Sequence, residues 1–201
     1  LKEAVCDDLL LDTFDERMGI LAGRINARRA ALVEALCPVV QDYYHELSDG
    51  KEEVGIEYRS DLEKGPLADI LRESRQKDLA LRYTSTGIQR DDFVFTMNSH
   101  PIRRCGSQGQ QKSFLVSLKF SQYELMKESC GVAPILLLDD LFDKLDMDRV
   151  GNLLSMVAGS DFGQIFLTDS NKVRISGIVD KLTEDRAYYE TAGGVFTKVE
   201  E

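Results

Sequence analysis

Apolar side chains in the first fifty residues recur at intervals of three, four and seven positions, the spacing of one face of an α-helix. The stripe consists of Phe14, Met18, Leu21, Ile25, Leu32, Leu36, Val39, Tyr43 and Leu47. It predicts a long helix that ends at Ser48-Asp49-Gly50, with a kink or a break at Pro38. Such a helix is either one arm of a helical hairpin or an ordinary core helix, and the spacing alone leaves both interpretations open.

The pattern of the next fifty residues predicts shorter elements, two strands and a short helix. Alternation of apolar with charged or small residues predicts a strand at 54–58, and the apolar run Phe93-Val94-Phe95 predicts another, followed by a turn at Asn98-Ser99. Between them, a break at Gly65-Pro66 precedes a short charged helix over residues 67–79.

The second half of the chain has a β-α-β pattern. A glycine-rich turn precedes a helix over residues 110–128, and the apolar run 135–138 predicts a strand buried on both faces of a parallel sheet. A helix at 147–158 and a strand at 164–168 complete the unit, and residues 188–199 resemble a closing hairpin.

Composition limits the class of protein. The chain has 201 residues, 43% of them hydrophobic, which is enough for a buried core and too apolar for a disordered chain. No apolar stretch approaches the ~18 residues of a membrane span. The four scattered cysteines, Cys6, Cys37, Cys105 and Cys130, indicate reduced, buried thiols of a cytosolic protein rather than a zinc site. Because the chain begins at Leu1 rather than Met, we expect it to be a piece of a longer protein.

The net charge of −10 argues against a dedicated nucleic-acid binder. Residues 67–133 nevertheless hold 10 basic and 7 acidic side chains, so the overall acidic charge does not exclude a local basic face. The basic clusters are Arg72, Arg75, Lys77, Arg82, Arg103 and Arg104. A solvated surface explains them more simply than DNA contact does.

The first candidate for chemistry is a pair of carboxylates, Asp139 and Asp140, at the end of the apolar strand. Ligands of open parallel sheets bind beyond the carboxyl ends of the strands. One carboxylate can hold Mg²⁺, and the next can polarise a water molecule for attack on a phosphate. Two solvated acids at an exposed strand end are the alternative.

The second candidate is the turn before the helix, Ser107-Gln108-Gly109-Gln110. Free N–H groups at a helix N-terminus form an anion site, and glycine permits close approach. Ser107 and Gln110 also have the spacing of a capping box, which requires no ligand. Asp146 is similarly expected to cap the helix that follows it.

Four segments, taken in order, resemble the RecF family of bacterial recombination and repair ATPases. Residues 105–112 (CGSQGQQK) are similar to the family's signature motif, and residues 134–140 (PILLLDD) to its Walker B strand. Residues 143–146 resemble the D-loop. Residues 86–92 (TGIQRDD) are similar to a segment whose usual sequence in the family is TGPHRDD, so Ile88-Gln89 replaces Pro-His here.

The resemblance implies an α/β fold, the C-terminal half of an ABC/SMC-like P-loop ATPase head with a mostly parallel sheet and helices, plus an N-terminal helical arm. Residues 1–82 would form the arm and residues 83–201 the half-head. It further implies a homodimer that forms with ATP and clamps single-stranded or gapped DNA. A RecR-type mediator as partner, a role in the SOS response, a cytoplasmic location and no membrane association belong to the same expectation.

The site residues follow from the same resemblance. Asp139 would hold Mg²⁺, and Asp140 would be the catalytic carboxylate. Asp146 would cross the dimer interface, and Thr168 or Asp169 would sense the γ-phosphate. Four loop residues would face ATP held by the opposite subunit, namely Ser107, Gln108, Gly109 and Gln110.

No G-x-x-x-x-G-K-[ST] loop exists in the chain. We therefore expect the chain alone neither to bind ATP well nor to hydrolyse it. Two alternatives stay open. Another SMC-like repair head would need sustained heptads, whereas the stripe stops by Gly50. A non-catalytic acidic interaction module would tolerate changes at Ser107, Asp139 and Asp140.

Overall fold

A computed structural model of the chain describes residues 7–139, 142, 144–159, 162–170, 176–177, 179–181 and 183–199. The chain divides into two compact units, Leu1–Gln122 and Tyr123–Glu201. The expected boundary between arm and half-head at residue 82 falls inside the first unit. That boundary remains a proposal.

Helix α1 (Asp8–Ser48) is the long helix that the apolar stripe predicts. The Asp7 side chain accepts a hydrogen bond from the Leu9 N–H at 3.0 Å, and the helix ends where Asp49 adopts a left-handed φ of 52°. Pro38 lies within α1 and does not split it. Proline removes one helical hydrogen bond and crowds the carbonyl one turn earlier, and burial of Val40 and Tyr44 in the following turns offsets that cost.

The two ends of α1 differ in environment. Toward the C-terminus, Val40, Tyr44 and Leu47 are buried. Toward the N-terminus, the stripe residues Phe14 and Leu21 are exposed. Nearer the N-terminus, Ala22 is buried in a second small core with Leu67 and Leu71. The core-helix interpretation therefore holds for these two stretches of α1 and not for its exposed stripe residues.

An antiparallel sheet lies against the buried end of α1. It consists of β1 (Val54–Arg59), β2 (Asp92–Met97) and β3 (His100–Pro101), in that order. The predicted turn between β2 and β3 is confirmed, because Asn98 and Ser99 both have positive φ, 47° and 65°. Two successive left-handed residues give a hairpin turn whose twist matches that of the strands.

The core of the first unit joins α1, this sheet and two further helices, α3 (Ile102–Cys105) and α4 (Gln108–Cys130). Its buried members are Val40, Tyr44, Val54, Ile56, Met97, Ile102 and Phe114. The ring of Phe114 lies 5.0 Å from that of Phe95 and 6.4 Å from that of Tyr44. Phe114 therefore fastens the start of α4 to both the sheet and α1.

Helix α2 (Leu67–Leu81) is held to α1 by charge as well as by packing. The Arg75 guanidinium, with a side chain 15% exposed, lies 2.6 Å from Asp12, 2.7 Å from Asp15 and 3.5 Å from Asp8. Its hydrogen bond holds the pKa of Asp12 below the ordinary value. The expectation that Arg75 is a solvated surface residue is thus wrong, since its side chain is mostly buried and forms ion pairs with acidic residues of α1.

The second unit contains the predicted β-α-β pattern. Strands β4 (Leu136–Asp139) and β5 (Ile165–Thr168) are parallel, and α5 (Met147–Gly159) lies between them in sequence. Leu136 and Leu138 are buried. Leu137 is 71% exposed, and Phe166, its partner in register, is 51% exposed. The expectation of a strand buried on both faces is therefore wrong for the described chain, because one face of this two-stranded sheet has no cover.

A hairpin of β6 (Tyr189–Ala192) and β7 (Val195–Lys198) forms as predicted. Within the described ranges, β4 and β5 form the parallel pair and the other two sheets are antiparallel. The expectation of a mostly parallel sheet is correct only for that pair. Cys105 and Cys130 are exposed rather than buried. No helix in the part of the chain described here has the length and apolarity needed to cross a membrane.

Candidate functional site

Helix α4 begins with the reciprocal capping box that its sequence predicts. The Ser107 N–H donates to Oε1 of Gln110 at 2.7 Å, and the Gln110 N–H donates to Oγ of Ser107 at 3.3 Å. Gly106 enters the loop so close to α3 that an added Cβ would lie 2.8 Å from the Ile102 carbonyl oxygen. Glycine is therefore required at that position, and the cap has one defined geometry.

The capping box does not use the first two N–H groups of the helix. The Gln111 N–H reaches the Ser107 carbonyl at 2.9 Å, which starts the regular helical pattern. For the N–H groups of Gln108 and Gly109, residues 7–139 offer no acceptor in the structure. Such groups at a helix N-terminus attract anions through their partial positive charge. The loop thus combines a rigid frame with two outward donors.

Glu52, between α1 and β1, connects this loop to α1 by two hydrogen bonds. Nε2 of Gln110 donates to Oε1 of Glu52 at 2.8 Å, and the Tyr44 hydroxyl donates to Oε2 at 2.7 Å. No sequence pattern points to Glu52, because it belongs to no motif and lies 58 positions from its partner. We call Glu52, Ser107 and Gln110, with Gln108 and Gly109, the signature loop cluster.

The second group of candidate residues lies at the end of the parallel strands. Asp139 and Thr168 are in register, and the Thr168 hydroxyl donates to Oδ1 of Asp139. Both residues are exposed. We call these two residues the strand-end pair. Asp140 and Asp143 lie outside the described residues.

Asp146 has the capping role that its position predicts. Its Oδ1 accepts from the Arg149 N–H at 2.9 Å, and its Oδ2 lies 3.4 Å from Nε of Arg149. Its carbonyl accepts from the Val150 N–H at 3.0 Å, which begins α5.

The strand-end pair fits a magnesium ion. Mg²⁺ takes one or two protein carboxylates and completes its octahedron with water and phosphate oxygens. An exposed carboxylate beside a hydroxyl oxygen matches that preference. Over the described ranges, no cluster of three or more His, Cys, Asp or Glu side chains has a metal-binding arrangement. A magnesium ion bound here would therefore take most of its ligands from water and phosphate.

The segment 86–92 has a structural role that the sequence did not reveal. Oδ2 of Asp91 accepts from Nη1 of Arg29 at 2.8 Å and from the Tyr58 hydroxyl. The Asp91 side chain is 2% exposed. Burial, and secondarily the bond to Asp91, raises the pKa of Tyr58. The Gly87 N–H donates to Asp61 at 3.0 Å. This segment therefore ties α1 to β1 through Arg29 and Tyr58.

The candidate residues thus form two groups. The first is the loop of Ser107, Gln108, Gly109 and Gln110 in the first unit, and the second is the strand-end pair in the second unit. Asp146 caps α5 in the second unit as a separate feature.

Comparison with solved structures defines the class of protein. The chain is similar to an SMC ATPase described for ATP-driven dimerization, with a TM-score of 0.55 at 12% identity, covering 84% of both chains. At this identity the likeness shows that the two chains share a fold. A closer likeness is to a structure of the recombination mediator protein RecF with ATP in the RecFOR pathway, with a TM-score of 0.76 at 27% identity. The match covers 100% of this chain and 53% of that one.

Curated relatives point to one family. The chain is 40% identical over 195 residues to the DNA replication and repair protein RecF of Porphyromonas gingivalis, covering 96% of this chain and 54% of the relative. It is 38% identical over 201 residues to RecF of Parabacteroides distasonis, covering 100% of this chain and 55% of the relative. No protein-family model matches. The chain is a RecF-type sequence, as its motifs predict, and it spans about half the length of the curated relatives it matches.

Proposed function

We propose that this chain supplies the signature-motif half of a RecF-type DNA replication and repair ATPase. In this proposal the signature loop binds the γ-phosphate of ATP that a second copy of the polypeptide holds. The site is thus completed only when two copies meet, and nucleotide binding is converted into dimerisation.

The observation that carries the proposal is the geometry of the signature loop cluster. Its capping box fixes Ser107 and Gln110, and the N–H groups of Gln108 and Gly109 point outward from the helix N-terminus without an acceptor in the described first unit. A phosphate placed there gains hydrogen bonds and dipole stabilisation without rearranging the loop.

The strand-end pair supplies the other part of the proposed chemistry. Asp139 holds Mg²⁺. The Thr168 hydroxyl, which donates to Asp139 in this structure, donates to the γ-phosphate instead when the nucleotide is bound and so senses it. The magnesium ion, when bound, neutralises charge on the phosphate oxygens. Asp140, next in sequence, is the proposed catalytic carboxylate that polarises the attacking water. Asp146 is proposed to cross the dimer interface from the start of α5.

The finer biological assignments rest on the family resemblance. We propose a homodimer that forms with ATP, binding to single-stranded or gapped DNA, and a RecR-type mediator as partner. We also propose action in the cytoplasm during the SOS response. The chain as given lacks a G-x-x-x-x-G-K-[ST] loop, so we propose that these activities belong to a longer polypeptide.

Light scattering on the complete polypeptide carrying Asp140→Asn, with and without ATP and Mg²⁺, tests the proposal. We expect a monomer that becomes a dimer only with ATP. Adding Ser107→Ala should weaken the dimer while each monomer still binds ATP. Ser129→Ala, at the opposite end of α4, is the matched control and should leave dimerisation unchanged.

Two results would contradict the proposal. If ATP binds and no dimer forms, the signature loop is only a helix cap, and the chain is better described as a non-catalytic interaction module. If the 201-residue chain alone hydrolyses ATP and Asp140→Asn abolishes that turnover, the proposed dependence on a longer polypeptide is wrong.

A further inference from the structure

The carboxylate of Glu52 is shared between two parts of the first unit. Oε2 accepts from the hydroxyl of Tyr44, a fully buried residue of α1, at 2.7 Å. Oε1 accepts from Nε2 of Gln110 at 2.8 Å. Glu52 itself is only partly buried. It therefore links the packed end of a long helix to a loop proposed to meet a nucleotide.

The bond from Glu52 decides which way the Gln110 amide faces. An amide side chain has a donor end and an acceptor end, whereas a carboxylate only accepts hydrogen bonds. The Ser107 N–H needs an acceptor, and Glu52 needs a donor. Only the orientation with Oε1 toward Ser107 and Nε2 toward Glu52 satisfies both neighbours. A reversed amide would place two donors against each other at Ser107.

We propose that Glu52 is a positioning residue for the signature loop. It fixes the Gln110 amide, the amide fixes the Ser107 backbone, and Tyr44 fixes Glu52 relative to α1. Movement of the last turns of α1 would then alter the presentation of Ser107 and Gly109. The role of Glu52 in dimerisation rests on the proposed function, whereas its role in ordering the loop does not.

A set of four variants in the complete polypeptide separates positioning from general stability. Glu52→Ala removes the acceptor. Glu52→Gln keeps an oxygen for Gln110 and can donate to the Tyr44 hydroxyl, which is able to accept. Gln110→Glu places two carboxylates against each other. The double variant Glu52→Gln with Gln110→Glu restores a donor–acceptor pair with its polarity reversed, and the carboxylate introduced at position 110 can still accept from the Ser107 N–H.

Hydrogen exchange at the Ser107 amide, measured without nucleotide, tests the ordering directly. We expect about tenfold faster exchange in Glu52→Ala, because the charge-assisted hydrogen bond that orients the Gln110 amide is lost. We expect a similar increase in Gln110→Glu, because repulsion between the two carboxylates displaces the side chain at position 110 from Ser107. Glu52→Gln should stay within about threefold of the native rate. The double variant should return to that level. Glu53→Gln, at the exposed neighbouring position, is the control and should exchange like the native protein.

The two kinds of failure are distinguishable. If the double variant exchanges as fast as Gln110→Glu, or if Glu52→Ala leaves the Ser107 amide protected, the positioning role is overturned whatever the nucleotide does. ATP-dependent light scattering of the same variants then tests the coupling. Loss of the dimer in Glu52→Ala, with ATP affinity of the monomer retained, supports the link to the proposed function. If the exchange pattern is as expected and the native protein forms no ATP-dependent dimer, the positioning role stands and the proposed function fails.

Discussion

The signature loop cluster and the strand-end pair are built in different ways, although both are proposed to face a nucleotide. The loop is ordered by contacts within the first unit. Its capping box is closed in both directions, and Glu52 supports it from the side of α1. The strand-end pair joins two exposed side chains at the edge of a two-stranded sheet. That sheet has an open apolar face at Leu137 and Phe166.

This difference indicates what each group needs in order to work. Backbone N–H donors bind an anion well when they are held in place beforehand, because no reorganisation is then required. A metal site at a strand end needs oxygen ligands that this pair does not supply by itself. We infer that the loop is ready before nucleotide arrives and that the strand end is completed by other ligands. Mutations in the two regions should therefore differ in their effects, and the largest effect is expected beneath the loop.

Truncation of Phe114 should remove the core contacts that hold the start of α4, and with it the signature loop. Its buried ring packs against Phe95 and Tyr44, so Phe114→Ala creates a cavity between α4, the sheet and α1. We expect a loss of about 3–5 kcal/mol in the free energy of unfolding. Urea unfolding measures it, with the exposed Phe196→Ala as control. A loss below about 1 kcal/mol would show that this core does not hold the loop.

The two faces of β4 provide a comparison within one strand. In the 201-residue chain, Leu138→Ala should cost about 2–5 kcal/mol, because Leu138 is buried. Leu137→Ala should change the free energy of unfolding by less than about 0.5 kcal/mol, because its side chain is exposed. Thermal or urea unfolding of both variants gives the answer. Equal losses would mean that the open face is covered, and the contrast between the two groups would then be weaker.

Secondary structure and local caps were predictable from the sequence because they depend on near neighbours. The period of the apolar stripe predicts α1, Asn98-Ser99 predicts the turn after β2, and the spacing of Ser107 and Gln110 predicts the capping box. The family resemblance was also carried by short motifs. The functional roles assigned to the strand-end residues remain predictions.

What the sequence missed depends on contacts between distant positions. Glu52 meets Gln110 58 positions away, and Arg29 meets Asp91 62 positions away. Neither pair has a local pattern. The exposure of Leu137 was also missed, since a continuous apolar run predicts burial on both faces and does not reveal whether a covering element is present. Of the two outcomes predicted at Pro38, a break is wrong, because α1 continues through that residue.

Removal of the Ser107 hydroxyl, which caps α4, should cost less unfolding free energy than truncation of Phe114. Ser107→Ala takes away the acceptor for the Gln110 N–H, which lies 3.3 Å from Oγ. Such N-cap replacements cost about 1 kcal/mol of stability. Urea unfolding and amide exchange at Gln110 report the loss, with Ser129→Ala as the matched control on α4. An unchanged Gln110 exchange rate would show that the cap is not what orders the loop.

The smallest effect should come from the corresponding change in the strand-end pair. Thr168→Val keeps the shape of the side chain and removes the hydroxyl that donates to Asp139. Because both residues are exposed, water replaces the lost bond, and we expect a change of less than about 0.5 kcal/mol in the free energy of unfolding. Amide exchange along β4 and β5 should stay within about threefold of the native rate. A loss as large as that of Ser107→Ala would contradict the contrast, because the strand end would then be as firmly ordered as the loop. A small loss of unfolding free energy would mean that bound ligands, rather than the hydrogen bond between Thr168 and Asp139, fix the positions of these two side chains.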